Sequence, residues 1–136
     1  MDLSQEHIIT EMQAREDWMD KYEYLISLGE QLRPMDPALV SEDTAIGGCQ
    51  SHVWIAAETI NGRMRFQGDS DAKITRGILA VVLSIVDGRS PADVAGMDFI
   101  CLRKIGLSSS LSPSRAEGLA AIISRVRELG ARSSSE

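Results

Sequence analysis

The sequence predicts an α+β domain in which a small antiparallel sheet, built on one β-hairpin, packs against helices. Three observations carry this expectation. Asn61-Gly62 separates two strand-like segments, amphipathic helical patterns lie on both sides of that pair, and the element order is helix, helix, hairpin, then helices. A lone hairpin is not stable in water, so the helices must cover one of its faces.

The first element expected is a short helix from Ser4 to about Ala14, with Ser4 as a possible cap. Over Asp17–Leu32, Trp18, Tyr22, Leu25, Ile26 and Leu32 fall on one side of a helix while Asp20, Lys21 and Glu23 fall elsewhere, which predicts an amphipathic helix. From Arg33 to Gly48 the chain carries Pro34, Pro37, Gly47 and Gly48 without a sustained period. It reads as a long loop with one helical turn at most, and loops of that length in a small domain are often functional.

Val53–Ile60 and Arg63–Gln67 suit strands, and Asn-Gly between them is the strongest short hairpin signal. A two-residue turn pairs Ile60 with Arg63, Thr59 with Met64, Glu58 with Arg65 and Ala57 with Phe66. Ile55, Ala57, Met64 and Phe66 then share one face, and opposite charges meet across the other.

Asp69-Ser70-Asp71 offers several N-caps for a helix from about Ala72 to Val86. Its apolar residues Ile74, Ile78, Val81, Val82 and Ile85 have further apolar neighbours around the axis, as expected of a central buried helix ending at Asp87-Gly88. Ser90-Pro91 opens a short helix and Asp98–Ile105 forms another, with a Ser-rich connection from Leu107 to Leu111. Ser112-Pro113 places a cap and an N1 proline before a last helix with Leu119, Ile122, Ile123, Val126 and Leu129 inward. The expectation is one domain over residues 1–136, frayed from Ala131 onward.

Composition narrows the function classes. The formal charge is −6 and no Lys/Arg run is present, so the attraction to phosphate backbones that supports nucleic-acid binding is missing. The charge is uneven: up to Asp43, eleven acidic residues face only Arg15, Lys21 and Arg33, whereas the remainder is weakly basic. Such a field steers a protein partner, or it is simply the solvated face of two helices. The apolar run Ile78–Val86 is far shorter than the roughly 20 residues a membrane span needs. The opening residues do not read as a signal peptide, and a cytoplasmic protein with no membrane partner is expected.

Two cysteines in a chain of this size make no disulfide framework, so each is judged as a separate thiol. Cys49 follows Gly47-Gly48 and immediately precedes the first strand, where the backbone turns easily and presents a side chain at a loop tip. Taken locally it stands open between a small packed hydrophobe and a nucleophile. Cys101, between Phe99-Ile100 and Leu102 on a predicted helix, reads as a packed structural thiol. His52 gives a Cys-x-x-His spacing with Cys49, yet a closed metal site needs four ligands. His7 and Cys101 have no paired ligand beside them, which disfavours a metal site. No P-loop, G-x-S-x-G, H-E-x-x-H or dinucleotide fingerprint occurs.

Ile46-Gly-Gly-Cys49-Gln-Ser-His-Val-Trp54-Ile resembles the active loop and first strand of the SufE family. Gln67-Gly-Asp-Ser-Asp71-Ala and Leu111-Ser-Pro-Ser-Arg115-Ala-Glu-Gly-Leu119 match in order and spacing, as does Trp18-Met-Asp-Lys-Tyr22 followed by Leu28-Gly29, so the likeness runs to about Arg127. The resemblance implies a SufE/IscU-like fold and a sulfur acceptor, not itself an enzyme, that stimulates a cysteine desulfurase. Cys49 would take persulfide sulfur from a SufS-like partner that carries the pyridoxal phosphate, and pass it toward an iron–sulfur scaffold. No cofactor of the chain's own is implied. Because the three cysteines of a cluster scaffold are missing, a carrier is favoured over a scaffold. The alternative is a regulatory module that docks on a desulfurase without accepting sulfur. Arg115 matches a family arginine near the loop, against the reading of a helix-start residue in a surface ion pair. Asp71 matches a family acidic residue beside the loop, against the reading of a helix cap. His52 stands where some relatives have glutamine.

Overall fold

The computed structural model describes residues 5–47, 51–107 and 111–134. Helix α1 (Gln5–Gln13) and helix α2 (Trp18–Gln31) come first, then a 3-10 turn at Pro37–Leu39. Strands β1 (Val53–Ile60) and β2 (Arg63–Ser70) form the sheet. Helices α3 (Lys73–Val86), α4 (Pro91–Ala95), α5 (Ile100–Lys104) and α6 (Pro113–Ser134) complete the order. The architecture is the α+β arrangement expected, with the hairpin laid against helices.

The hairpin adopts the expected register, with Ile60 opposite Arg63 and Ala57 opposite Phe66. Asn61 and Gly62 both have positive φ, 53° and 77°, which gives the turn a twist matching that of the strands. Val53, Ile55 and Met64 are buried on the helix-facing side, and Glu58 and Arg65 are exposed on the other. Strand β2 reaches Ser70, beyond the expected end at Gln67, because pairing continues through Ile55–Gly68 to Val53–Ser70.

Helix α3 is the centre of the core: Ile78 through Leu83, Ile85 and Val86 are all buried. It meets α2 at glycine backbones. A Cβ on Gly77 would lie 2.1 Å from the Leu25 carbonyl oxygen, and one on Gly29 would lie 2.8 Å from the Gly77 nitrogen. Arg76 then closes the C-terminal end of α2. Its Nε donates to the Gly29 carbonyl at 3.0 Å, a terminal nitrogen donates to the Leu32 carbonyl at 2.9 Å, and its other end bonds the Asp69 carboxylate. The Gly29 carbonyl also accepts the Leu32 N–H at 3.2 Å, so Arg76 adds a second bond there and supplies the Leu32 carbonyl just past the helix end.

The expected side-chain cap of α3 is not formed. Ala72 occupies the cap position with no side-chain hydrogen bond. Asp69 is taken by Arg76, the Ser70 hydroxyl accepts only from the Ala72 amide, and the Asp71 carboxylate turns to His52. Ser90 does cap α4, accepting from the Asp93 amide, and the Ser112 hydroxyl accepts from the Arg115 amide at the start of α6. Leu119, Ile122 and Val126 of α6 are buried, with Ile123 and Leu129 partly buried against the core. The helix runs to Ser134, past the fraying expected from Ala131, where Arg132 pairs with Glu128 one turn back. Ser4, named as a cap for the first helix, lies outside the described residues, as do Ser108–Ser110 of the Ser-rich connection.

Candidate functional site

The 33–47 segment leads to the glycine-cysteine loop through local polar contacts. Asp36 caps the 3-10 turn by accepting from the Ala38 amide at 3.0 Å, and the Thr44 hydroxyl donates to the Leu39 carbonyl at 2.6 Å. Ala45 then bridges to Trp54: the Ile46 amide donates to the Val53 carbonyl and the Ile55 amide to the Thr44 carbonyl, both at 2.9 Å. From across the fold, Arg125 of α6 donates to the Ala45 carbonyl at 3.2 Å. Cys49, with Gly48 and Gln50, lies outside the described residues, but the chain on either side of it is anchored.

On the other side the anchor is Asp71. Its Oδ1 accepts the His52 backbone N–H at 3.0 Å, its Oδ2 lies 2.8 Å from His52 Nδ1, and its own N–H donates to the His52 carbonyl at 3.3 Å. The His52 ring stacks on Trp54, with centroids 5.9 Å apart and planes 11° apart. The imidazole hydrogen bond, helped by the backbone bond, holds the Asp71 carboxyl below the usual carboxylate range.

Beside Ser51 is a cavity of about 70 Å³ lined by Ser51, Ala72, Thr75, Ser114, Arg115 and Ile122, among others. It sits where the N-terminal turns of α3 and α6 converge, so amide dipoles and the Arg115 guanidinium both favour negative charge there. The Ser51 and Thr75 hydroxyls are 3.5 Å apart at its edge. A thiolate or persulfide anion is the kind of small, soft, negative group such a place stabilises. Arg115 is exposed and forms no ion pair among the described residues.

The fold therefore brings His52 to Asp71, and Ser51 to the cavity that Arg115 lines. Ser51, Thr75, Ser114 and Arg125 were not singled out by sequence. Serine and threonine near helix starts carry no distinctive signal, and Arg125 lies 80 residues from its partner. Cys101 falls in α5, and its side chain is outside the described set. Among the described residues no group of three or more His, Cys, Asp and Glu side chains could hold a metal ion. The nitrogen His52 would offer through Nδ1 is engaged by Asp71. None of the described helices is long and apolar enough to cross a membrane.

Comparison with known proteins adds four findings. A family model described as a SufE, Fe-S metabolism associated domain matches residues 6–130. An uncharacterised SufE-like protein of Rhizobium etli is 37% identical over 130 residues, spanning 92% of this chain and 88% of its own. The sulfur acceptor protein CsdE of Escherichia coli is 40% identical over 107 residues, spanning 77% and 73%. In fold, the chain is similar to the solution structure of a hypothetical protein from Thermus thermophilus, with a TM-score of 0.79 at 17% identity, covering 97% and 96% of the two chains.

Proposed function

The chain belongs to the SufE family, and from that premise we propose that it is a sulfur acceptor in which Cys49 receives sulfur from a cysteine desulfurase. In this reaction the Cys49 thiolate attacks the terminal sulfur of the donor's persulfide. The donor S–S bond breaks, a new S–S bond forms on Cys49, and the donor cysteine leaves as a thiolate. The sulfane sulfur changes hands without net oxidation, and the persulfide then serves iron–sulfur cluster assembly.

The observation that supports this reading best is that Ser51, two residues after Cys49, lines a cavity shared with Arg115 and two helix starts. Ser51 lies at its edge, Arg115 and two helix starts supply its positive potential, and the Asp71–His52 contacts hold the chain next to it. In this reading Arg115 steadies the anionic sulfur, while Asp71 and His52 position the loop without touching the reacting atoms. The partner is a pyridoxal-phosphate desulfurase of the SufS kind, whose turnover the chain stimulates, and the recipient is an iron–sulfur scaffold in the cytoplasm.

The test is mass spectrometry of the chain after incubation with a desulfurase, pyridoxal phosphate and cysteine. Wild type and Cys101→Ser are expected to gain one sulfur atom and Cys49→Ser none. A gain that survives Cys49→Ser would overturn the assignment. Full desulfurase stimulation by Cys49→Ser without any gain would make the chain a docking module instead.

A further inference from the structure

The outer edge of β2 is closed at both ends and open in the middle. The Ile55 amide donates away from β2, to Thr44, so Ile55–Gly68 is a non-hydrogen-bonded pair. By the alternation of the ladder, Met64, Phe66 and Gly68 turn their backbone groups away from β1. Met64 is satisfied on that side by the Arg89 carbonyl and the Gly88 amide, and the Phe66 amide by the Asp87 carboxylate at 2.9 Å. At the far end the Ser70 amide is taken by Asp69. Between these closures the Phe66 carbonyl and the amide and carbonyl of Gly68 have no partner among the described residues, although Gly68 is buried. Buried backbone groups are almost always paired, and an unpaired run on a strand edge is a template for another strand.

These groups border a groove of about 840 Å³. Its opposite wall is Gln31–Pro34, and Leu83, Ser84 and Asp87 of α3 also line it. The groove shares no lining residue with the cavity at Ser51. Leu32, Phe66 and Leu83 give it an apolar side. Arg33 at the rim is exposed and has no hydrogen bond or ion pair among the described residues. Arg65 reaches Asp87 only at 3.4 Å, longer than a strong charge-assisted bond.

We propose that this groove takes an extended peptide segment of a partner protein, added as a short strand on β2 and carrying an acidic side chain between two apolar ones. The backbone of the segment would exchange hydrogen bonds with Gly68 and donate to the Phe66 carbonyl. Residues opposite Gly68 and Phe66 face α3, so apolar side chains lie against Leu83 and Leu32. The residue between them, opposite Gln67, faces outward beside Arg65 and Arg33, where a carboxylate is favoured. The window is one pairing unit long, so binding is weak and transient unless a second contact accompanies it.

The experiment is an NMR titration of the isotope-labelled full chain with the capped peptide acetyl-Thr-Val-Glu-Leu-Thr-amide. The Gly68 amide is expected to shift and its hydrogen exchange to slow. Replacing Glu by Lys in the peptide, or Arg33→Glu in the chain, is expected to weaken binding by about tenfold, the effect of losing one favourable charge contact. Arg33 makes no contact that folding needs, so that variant remains a valid test. N-methylation of the Val and Leu flanking the peptide's Glu removes the two donors and is expected to abolish the Gly68 shift. The proposal fails if Gly68 does not respond at millimolar peptide, or if the N-methylated peptide binds equally well. It also fails if Gly68 shifts with protein concentration alone, which would assign the groove to a second copy of this chain.

Discussion

Asp71 grips both the main chain and the ring of His52, accepting the backbone N–H at 3.0 Å while its second oxygen lies 2.8 Å from Nδ1. The residue that looked like a helix cap instead ties the approach to α3 to the start of β1. Both side chains are largely exposed, at 51% and 78%, so the pair adds little to global stability. Its effect is local. Asp71→Ala is therefore expected to leave Tm nearly unchanged while speeding amide exchange at Ser51 and His52 and slowing sulfur loading severalfold. Unaltered exchange at both amides would show that Asp71 does not hold this segment.

The same contact has a pH signature. The His52 hydrogen bonds lower the folded-state pKa of Asp71, so its contribution is present above the unfolded value and is lost as pH falls through the folded one. Carboxyl chemical shifts followed over the acidic range are expected to place Asp71 below the ordinary carboxylate midpoint. In His52→Ala the midpoint should move up. A wild-type midpoint at or above the ordinary value would mean the clasp does not form in solution.

Gly77→Ala tests the crossing of α2 and α3. A methyl group there has nowhere to go, since the Leu25 carbonyl oxygen lies 2.1 Å from the Cβ position and both helices belong to the core. Overpacking of this kind costs roughly 3 kcal/mol, and Tm should fall by about 10 °C for a domain of this size. Urea unfolding gives the free energy directly. A loss within about 0.5 kcal/mol, the ordinary range for a surface change, would contradict the close approach.

Arg76→Ala should be nearly as severe for a different reason. It leaves the Gly29 and Leu32 carbonyls and the Asp69 carboxylate without their shared donor, in a place where Arg76 and Asp69 are only about a quarter exposed. A loss of about 2–3 kcal/mol is expected in urea unfolding, with a smaller loss for Asp69→Ala. Equal losses would assign the whole effect to the ion pair and none to the helix end.

Arg115→Ala addresses the proposed anion role. Arg115 is exposed and its guanidinium pairs with no carboxylate among the described residues. Tm should hold within about 2 °C, while the rate of sulfur loading drops about tenfold, the order of one charge-assisted hydrogen bond. Arg115→Lys should recover part of that rate. A full rate in Arg115→Ala would remove this residue from the site.

Local signals carried much of the fold. Asn61-Gly62 determined the hairpin and its register, because a two-residue turn with positive φ leaves one pairing open to the strands it joins. Helical periodicity identified the buried side of α6 and the nearly all-apolar α3, whereas in α2 it placed Leu25 correctly but left out Leu28, which is buried, and included Ile26, which is only half-buried. The motif around Cys49 pointed to the family, and the family match over residues 6–130 agrees with it.

What sequence alone did not reveal are contacts between residues distant along the chain. For Asp71 the sequence left two readings, a helix cap and an acidic residue beside the loop, and only the placement of β1 beside the α3 start brought its carboxylate to His52. Nothing in the sequence singled out Arg76, whose partners at the end of α2 lie 44 and 47 residues away, or Arg125, which reaches the Ala45 carbonyl across the fold. A side chain's local propensities rank its options within a turn or two of backbone. Which partner desolvates it, and which backbone groups such as those of Gly68 are left open, is settled only when the helices and the sheet come together.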